Sequence, residues 1–206
     1  MGGIKTDINA KTNIKNLFAC GECAEASIHG ANRLGGNSLL EIVTFGKIAG
    51  TNASNDEKNI SKIHTLNKSL KQDEENINKI YNYSNKINFY KQKDDIGNLL
   101  FNNLGLFRNE EKISTLIKKI EELNLEIENM GIADKSKTYN KNLVEFLEFR
   151  NVLNVALLVS ISALNRKESR GSHFRLDYPS EMQKYEKNTI IKKVNDKIVV
   201  EFEEIV

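Results

Sequence analysis

A chain of 206 residues with 39% hydrophobic side chains can bury one core of ordinary size or two small ones. Its 30 Lys and Arg against 28 Asp and Glu leave a formal charge of +2, and the basic residues are scattered among acidic ones, which argues against nucleic acid as a partner. No unbroken run approaches the roughly 18 apolar residues of a membrane span, and the opening MGGIKTD lacks the basic start and apolar stretch of a secretory signal, so membrane contact is expected only through a partner, without direct insertion.

Composition changes sharply near residue 51. Before it lie eight of the twelve glycines, few charges and short β-branched or aromatic runs, as suits strands and tight loops near a ligand. LFACGE, from Leu17 to Glu22, reads as a short apolar strand ending in a glycine and an acid. HGANRLGGNS follows as a glycine-punctuated loop, leading into an amphipathic helix from about Ser38 to Ala49 with Asn37 or Ser38 as its cap. Thr51 to Glu57 reads as a polar connector that caps a further helix through Ser54 or Asn55.

Beyond it the chain is charged, Gly-poor and helical. Helices are expected from about Glu57 to Tyr83 and from Asn88 to Asn103. Ile113, Leu116, Ile117, Ile120, Leu123 and Ile127 recur at helical spacing and define one apolar face, with Gly131 ending that helix. Asn140 to Leu164 is apolar on more than one side, as expected of the central helix of a bundle. After the single proline, Pro179, Thr189 to Val194 and Ile198 to Glu204 alternate like the arms of a β-hairpin around Asn195 and Asp196. The fold class is therefore α+β.

The chemistry concentrates between Leu17 and Gly50. By spacing alone, Glu22 reads first as a solvated acid in a turn and second as an acceptor for sugar or ribityl hydroxyls. Gly35 and Gly36 permit close backbone approach ahead of a helix whose positive dipole end favours an anion or a carbonyl gaining negative charge. Arg33 carries the planar fork that holds a carboxylate through two parallel bonds, worth roughly 1.5 to 3 kcal/mol for bonds to charged groups; a solvated surface arginine is the plainer reading of that residue in isolation. Cys20 and Cys23 form a C-x-x-C with no second pair, and His29, His64 and His173 offer no zinc spacing, so both cysteines are expected to be small, partly buried structural residues and no metal is expected. No GxGxxG is present.

The longer string decides between these readings. SIHGANRLGGNSLLE after CGE resembles the motif of the succinate dehydrogenase and fumarate reductase flavoprotein subunits, MGGIKTD resembles the strand preceding it, and SALNRKESRGSHFRLDYP resembles the signature after the long helix of their C-terminal domain. The resemblance implies the C-terminal part of such a subunit: residues 1–52 as the end of a partial FAD-binding domain with strands and one helix, 53–179 as a helical domain and 180–206 as a β-hairpin tail. It assigns Arg33 to a carboxylate of succinate or fumarate, Glu22 to hydroxyls of FAD, and Ser38 and Leu39 to the isoalloxazine ring at the helix start. His29 is expected to order the loop, and the run from Arg166 to Arg175 to serve packing, with His173 not catalytic.

The same resemblance places the substrate histidine just upstream of the opening MGG. The glycine fingerprint, the histidine of covalent FAD attachment and the capping domain with its proton-transfer arginine also have no counterpart here. No residue in the chain is therefore assigned as catalytic, and the chain alone is expected to hold FAD weakly or not at all. An iron-sulfur subunit and a membrane anchor subunit are the implied partners, carrying electrons to a quinone. The implied location is cytoplasmic and peripheral to the inner membrane through those partners, with the periplasmic side left open. L-aspartate oxidase is a second related flavoprotein with a similar ESRG segment and loop; RLGGNS, with two glycines before its asparagine, favours the dehydrogenase and reductase group, and a non-catalytic truncated remnant or interaction module whose helical bundle docks a partner is the reading of a different class.

Overall fold

The computed structural model describes residues 1–56, 64–195 and 197–205, with side chains described except at 64–67. They fall into two compact units: one is Met1–Lys62 with Arg170–Ser172 and Glu204–Val206, the other Ile63–Ser169 with His173–Glu203.

In the first unit, β1 (Ile4–Lys5) pairs in parallel with β2 (Ala24–Glu25), Ile4 opposite Ala24 and Lys5 opposite Glu25. A side chain on Gly3 would put its Cβ 2.6 Å from the carbonyl oxygen of Cys23, so the close approach of the two segments requires glycine there. The expected strand Leu17 to Glu22 does not form. Its only ladder contact among the described residues is a single antiparallel bridge from Phe18 to Lys11, and Gly21–Cys23 close into a 3-10 turn that delivers the chain to β2. Ala19 in this run is buried and Cys20 has an extended backbone, but Gly21 at φ +77° turns the chain before strand pairing can propagate.

Helix α1 (Asn37–Asp56) starts where expected and runs past the expected connector through Thr51 to Asp56. The polar residues there have tertiary partners: Asn52 Nδ2 donates to the carbonyl of Asn9 at 3.0 Å, and Lys11 Nζ lies 2.9 Å from Asp56 Oδ2. Those contacts override the weak helix propensity of Asn, Ser and Thr. Ser54 and Asn55, expected to cap a further helix, lie within α1, and Glu57 lies outside the described residues.

The second unit holds α2 (His64–Asn82), α3 (Phe89–Leu104), α4 (Glu110–Leu125), α5 (Lys141–Asn165) and a hairpin of β3 (Asn188–Val194) with β4 (Lys197–Glu203). Residues 57–63 of the first expected helix fall outside the described residues. Three of these helices begin at asparagines acting as acceptors: Asn88 from the amides of Tyr90 and Lys91, Asn109 from Lys112, and Asn140 from Leu143. The face read from the sequence of α4 is the buried one, through Ile113, Leu116, Ile120 and Leu123. It packs on α5, whose Phe146, Phe149, Leu153, Ala156 and Ala163 belong to the same core.

Gly131 does not end α4. That helix stops at Leu125, and Gly131 instead lies against the turn after α2, donating its amide to the carbonyl of Ser84 in a space where a Cβ would meet the Tyr83 carbonyl at 2.4 Å. By length and mean hydropathy α5 could cross a membrane. The expectation of no such stretch counted unbroken apolar runs, whereas α5 is interrupted by Glu145, Glu148 and Arg150 and sends its largest side chains into the core.

Candidate functional site

Glu22 sits in the exposed 3-10 turn Gly21–Cys23, and among the described residues its carboxylate has no hydrogen-bond or ion-pair partner. Cys23 is exposed rather than partly buried, its thiol 3.5 Å from the Cys20 carbonyl oxygen; both cysteines are free, and no cluster of His, Cys, Asp and Glu able to hold a metal occurs among the described residues.

From β2 the chain enters the loop that carries Arg33. Gly30 at φ +57° and Gly36 at φ +85° bracket it, both in the left-handed region. Three contacts hold the loop. His29 Nε2 lies 2.6 Å from Glu41 Oε2 on α1, with side chains only 13% and 9% exposed. The carbonyl of Ala31 accepts from the Ser172 amide at 3.2 Å and its hydroxyl at 3.3 Å. The Asn37 amide donates to the Leu34 carbonyl at 3.3 Å, closing the turn into α1. Arg33, between these anchors, is half-buried, and among the described residues its guanidinium has no partner.

At the start of α1, no side chain among the described residues accepts from the amides of Ser38, Leu39 or Leu40. Ser38 is half-buried, while Leu39 and Leu40 present apolar side chains outward at 66% and 68% exposure. A Cβ added at Gly35 or Gly36 would meet nothing within 4 Å, so the backbone just ahead of these amides is uncrowded. Unshared amides, a half-buried cation without a counter-ion and flanking exposed leucines suit a flat, largely apolar ring with an electronegative edge beside a small anion. The residues present therefore fit a flavin next to a carboxylate.

The second motif resolves into two parts with different work. Gly171, at φ +56°, lies so near the loop that a Cβ would stand 2.3 Å from the Ala31 carbonyl oxygen, and Ser172 supplies the two bonds to that same oxygen. The remainder builds a buried ionic network in the helical unit. Arg175, fully buried, forms a fork to Asp177 with both bonds at 2.7 Å and caps the end of α5 by donating to the carbonyls of Ala163 and Leu164. Arg166 pairs at 2.6 Å with Glu168, which is likewise fully buried. His173 accepts from Arg108 at Nδ1 (2.8 Å) and donates from Nε2 to the carbonyl of Arg166 (3.0 Å), a tautomer set by the arginine, which can only donate. Burial first, then the neighbouring cations, lower its pKa to about 4, against the opposing effect of the Arg166 carbonyl. The packing expected of this run takes the form of buried, paired charges.

Sequence reasoning singled out Arg33, Glu22, Ser38 and Leu39 and expected the run that holds Gly171 and Ser172 to pack back on the flavin-binding part, but missed Glu41 as a neighbour of the loop. Glu41 closes the quoted string SIHGANRLGGNSLLE, five residues into a helix whose N-terminal end favours acids, and that placement was its available signal. The contact between Ser172 and Ala31, 141 positions apart, leaves no trace in local spacing.

Fold and site together define a flavoprotein segment. Residues 93–206 match the family described as the fumarate reductase flavoprotein C-terminal domain, and residues 1–39 match an FAD-binding domain. The chain belongs to the fumarate reductase flavoprotein family. It is 38% identical over 182 residues to the fumarate reductase flavoprotein subunit of Escherichia coli (strain K12) and 34% identical over 180 residues to that of Haemophilus influenzae, covering in each case 86% of this chain and 30% of the relative. Its fold superimposes on a solved quinol fumarate reductase chain of E. coli with a TM-score of 0.94 at 33% identity, over 98% of this chain and 36% of that one. The chain thus spans about a third of the length of these relatives.

Proposed function

We propose that this protein forms part of an FAD-dependent oxidoreductase that interconverts succinate and fumarate. The observation that carries the reading is the half-buried, unpartnered guanidinium of Arg33, held by a three-point anchored loop directly ahead of uncapped helix amides. FAD, when bound, supplies the hydride chemistry. The chain's own residues orient and stabilise: Arg33 clamps one substrate carboxylate, the amides of Ser38 and Leu39 meet the electronegative edge of the ring, and Glu22 accepts from ribityl or ribose hydroxyls.

The site is half a site. Glu22, Leu39 and Leu40 face outward, and the two-residue parallel pair of β1 and β2 is too small to stand as a sheet, since parallel strands normally lie within larger sheets covered on both faces. We propose three portions, residues 1–52 closing the FAD-binding domain, 53–179 forming the helical domain and 180–206 the hairpin tail. Electrons pass to an iron-sulfur subunit, with a membrane anchor subunit and a quinone beyond, and the complex sits on the cytoplasmic side of the inner membrane.

Purified by itself, the 206-residue chain is expected to be colourless and inactive towards fumarate with a reduced viologen as donor. A yellow preparation that reduces fumarate would overturn this incompleteness. Joined by polypeptide carrying a glycine fingerprint and a capping domain, it is expected to retain FAD and reduce fumarate; retained FAD without fumarate reduction defeats the proposed activity.

A further inference from the structure

We propose that His29 and Glu41 are a positioning pair for Arg33, a role that rests on reading Arg33 as the anchor for a dicarboxylate. The pair is a side-chain link from the loop to α1 at 2.6 Å, and both side chains are almost wholly shielded from water. A carboxylate is seldom buried this far unless a partner compensates it, and such pairs are better suited to fixing an arrangement than to adding stability. Here the arrangement being fixed is visible in the backbone.

Gly30, Gly35 and Gly36 give the loop wide conformational freedom, with Gly30 and Gly36 already at positive φ. Such a loop holds one shape only where it is tethered. Ala31 is tied through its carbonyl to the amide and hydroxyl of Ser172, and Asn37 through its amide to Leu34, so the loop contributes only backbone atoms to both ties. His29 is the side-chain tether on the N-terminal side, and it ends on Glu41, one helical turn beyond Asn37 where α1 begins. The pair therefore fixes the entry of the loop relative to the same helix whose first amides complete the site. Arg33, four positions from His29 and four from Asn37, takes its place from both ends while its own guanidinium stays uncommitted. Neither His29 nor Glu41 is assigned contact with substrate.

The experiment uses the FAD-loaded assembly that contains this chain and measures binding of malonate, a non-reacting dicarboxylate, from the perturbation of the flavin absorbance. H29A and E41A are each expected to raise the malonate dissociation constant by about tenfold to a hundredfold, the scale of a misplaced binding group. The double variant H29A/E41A is expected to be no worse than either single one, because the two residues act as a unit. H29Q, whose side-chain amide nitrogen can replace Nε2, is expected to recover most of the affinity, and FAD content is expected to be unchanged in all of them.

R33A is the companion variant. Loss of malonate binding in R33A with wild-type affinity in H29A and E41A overturns the positioning role and leaves Arg33 as the anchor; wild-type affinity in R33A overturns both readings. Should a variant fail to load FAD, hydrogen exchange on the 206-residue chain keeps the question decidable. Faster exchange of the amides from Ala31 to Gly36 in H29A, with α5 unchanged, is the expected result, and unchanged exchange in that loop overturns the proposal.

Discussion

His173 stands in a run expected to serve packing, and it does so as a neutral imidazole wedged between Arg108 and the carbonyl of Arg166. A folded-state pKa near 4 against an ordinary 6.5 means that, in this interval, the unfolded chain takes up a proton that the folded chain refuses. Stability is therefore complete above about pH 6.5 and falls as pH drops towards 4. Asp177 adds a separate loss lower down, because its fork with Arg175 holds its pKa at about 2 against 3.8. Urea unfolding followed by circular dichroism at several pH values is expected to show this decline, and in H173Q the part between pH 6.5 and 4 is expected to shrink relative to wild type. A decline of equal size in both proteins would show that His173 is free to charge in the folded state.

At the scale of elements, the helices of the second unit were legible from their apolar repeats, and in α3, α4 and α5 an asparagine at the start agrees with that repeat. α5 depends most on its cap. Asn140 is 8% exposed, accepts from Leu143 at 2.8 Å and donates to the carbonyls of Asp134 and Ser136 at 2.9 and 2.8 Å, so one side chain ends the preceding loop and begins the helix. N140A is expected to lower unfolding free energy by about 2 kcal/mol, above the usual ~1 kcal/mol for a cap because two further buried bonds are lost. Chemical denaturation measures it, and a change within about 0.5 kcal/mol, the scale of an ordinary surface substitution, would contradict it. The hairpin was legible for a similar reason: alternation set the arms, and Asn195 at φ +48° makes the turn between Val194 and Lys197. The elements misread, the strand at Leu17 and the connector at Thr51, carry no such agreement; glycine geometry decided the first and tertiary partners of Asn52 and Asp56 the second.

For the molecule as a whole, the distribution of apolar burial sets the order of stability. The large core cluster runs from Ile80 to Ala163 and lies wholly in the second unit, whereas the first buries only Ala10, Ala19 and Ala49 among its described apolar residues and leaves Ile8, Leu34, Leu39, Leu40 and Val43 exposed. At about 25 cal/mol per Å² of apolar surface, buried alanines stabilise little. Native-state hydrogen exchange of the isolated chain is expected to find amides of α4 and α5 protected to the global limit and those of α1 exchanging through local opening. Equal protection in α1 and α5 would show that the first unit is stabilised by something other than its own core.

The string alone determined the family resemblance, the α+β class, the helices with an apolar repeat, and the identity of Arg33 as the cation of the loop, because each is written in neighbouring residues through spacing or an ordered motif. Only the tertiary structure decided that Gly171 and Ser172 clasp the carbonyl of Ala31, that His29 meets Glu41, and that Arg175 and Glu168 are buried with partners. Those contacts join residues up to 141 positions apart. Their energy comes from desolvation and geometry created when the chain closes on itself, and local sequence carries no record of either.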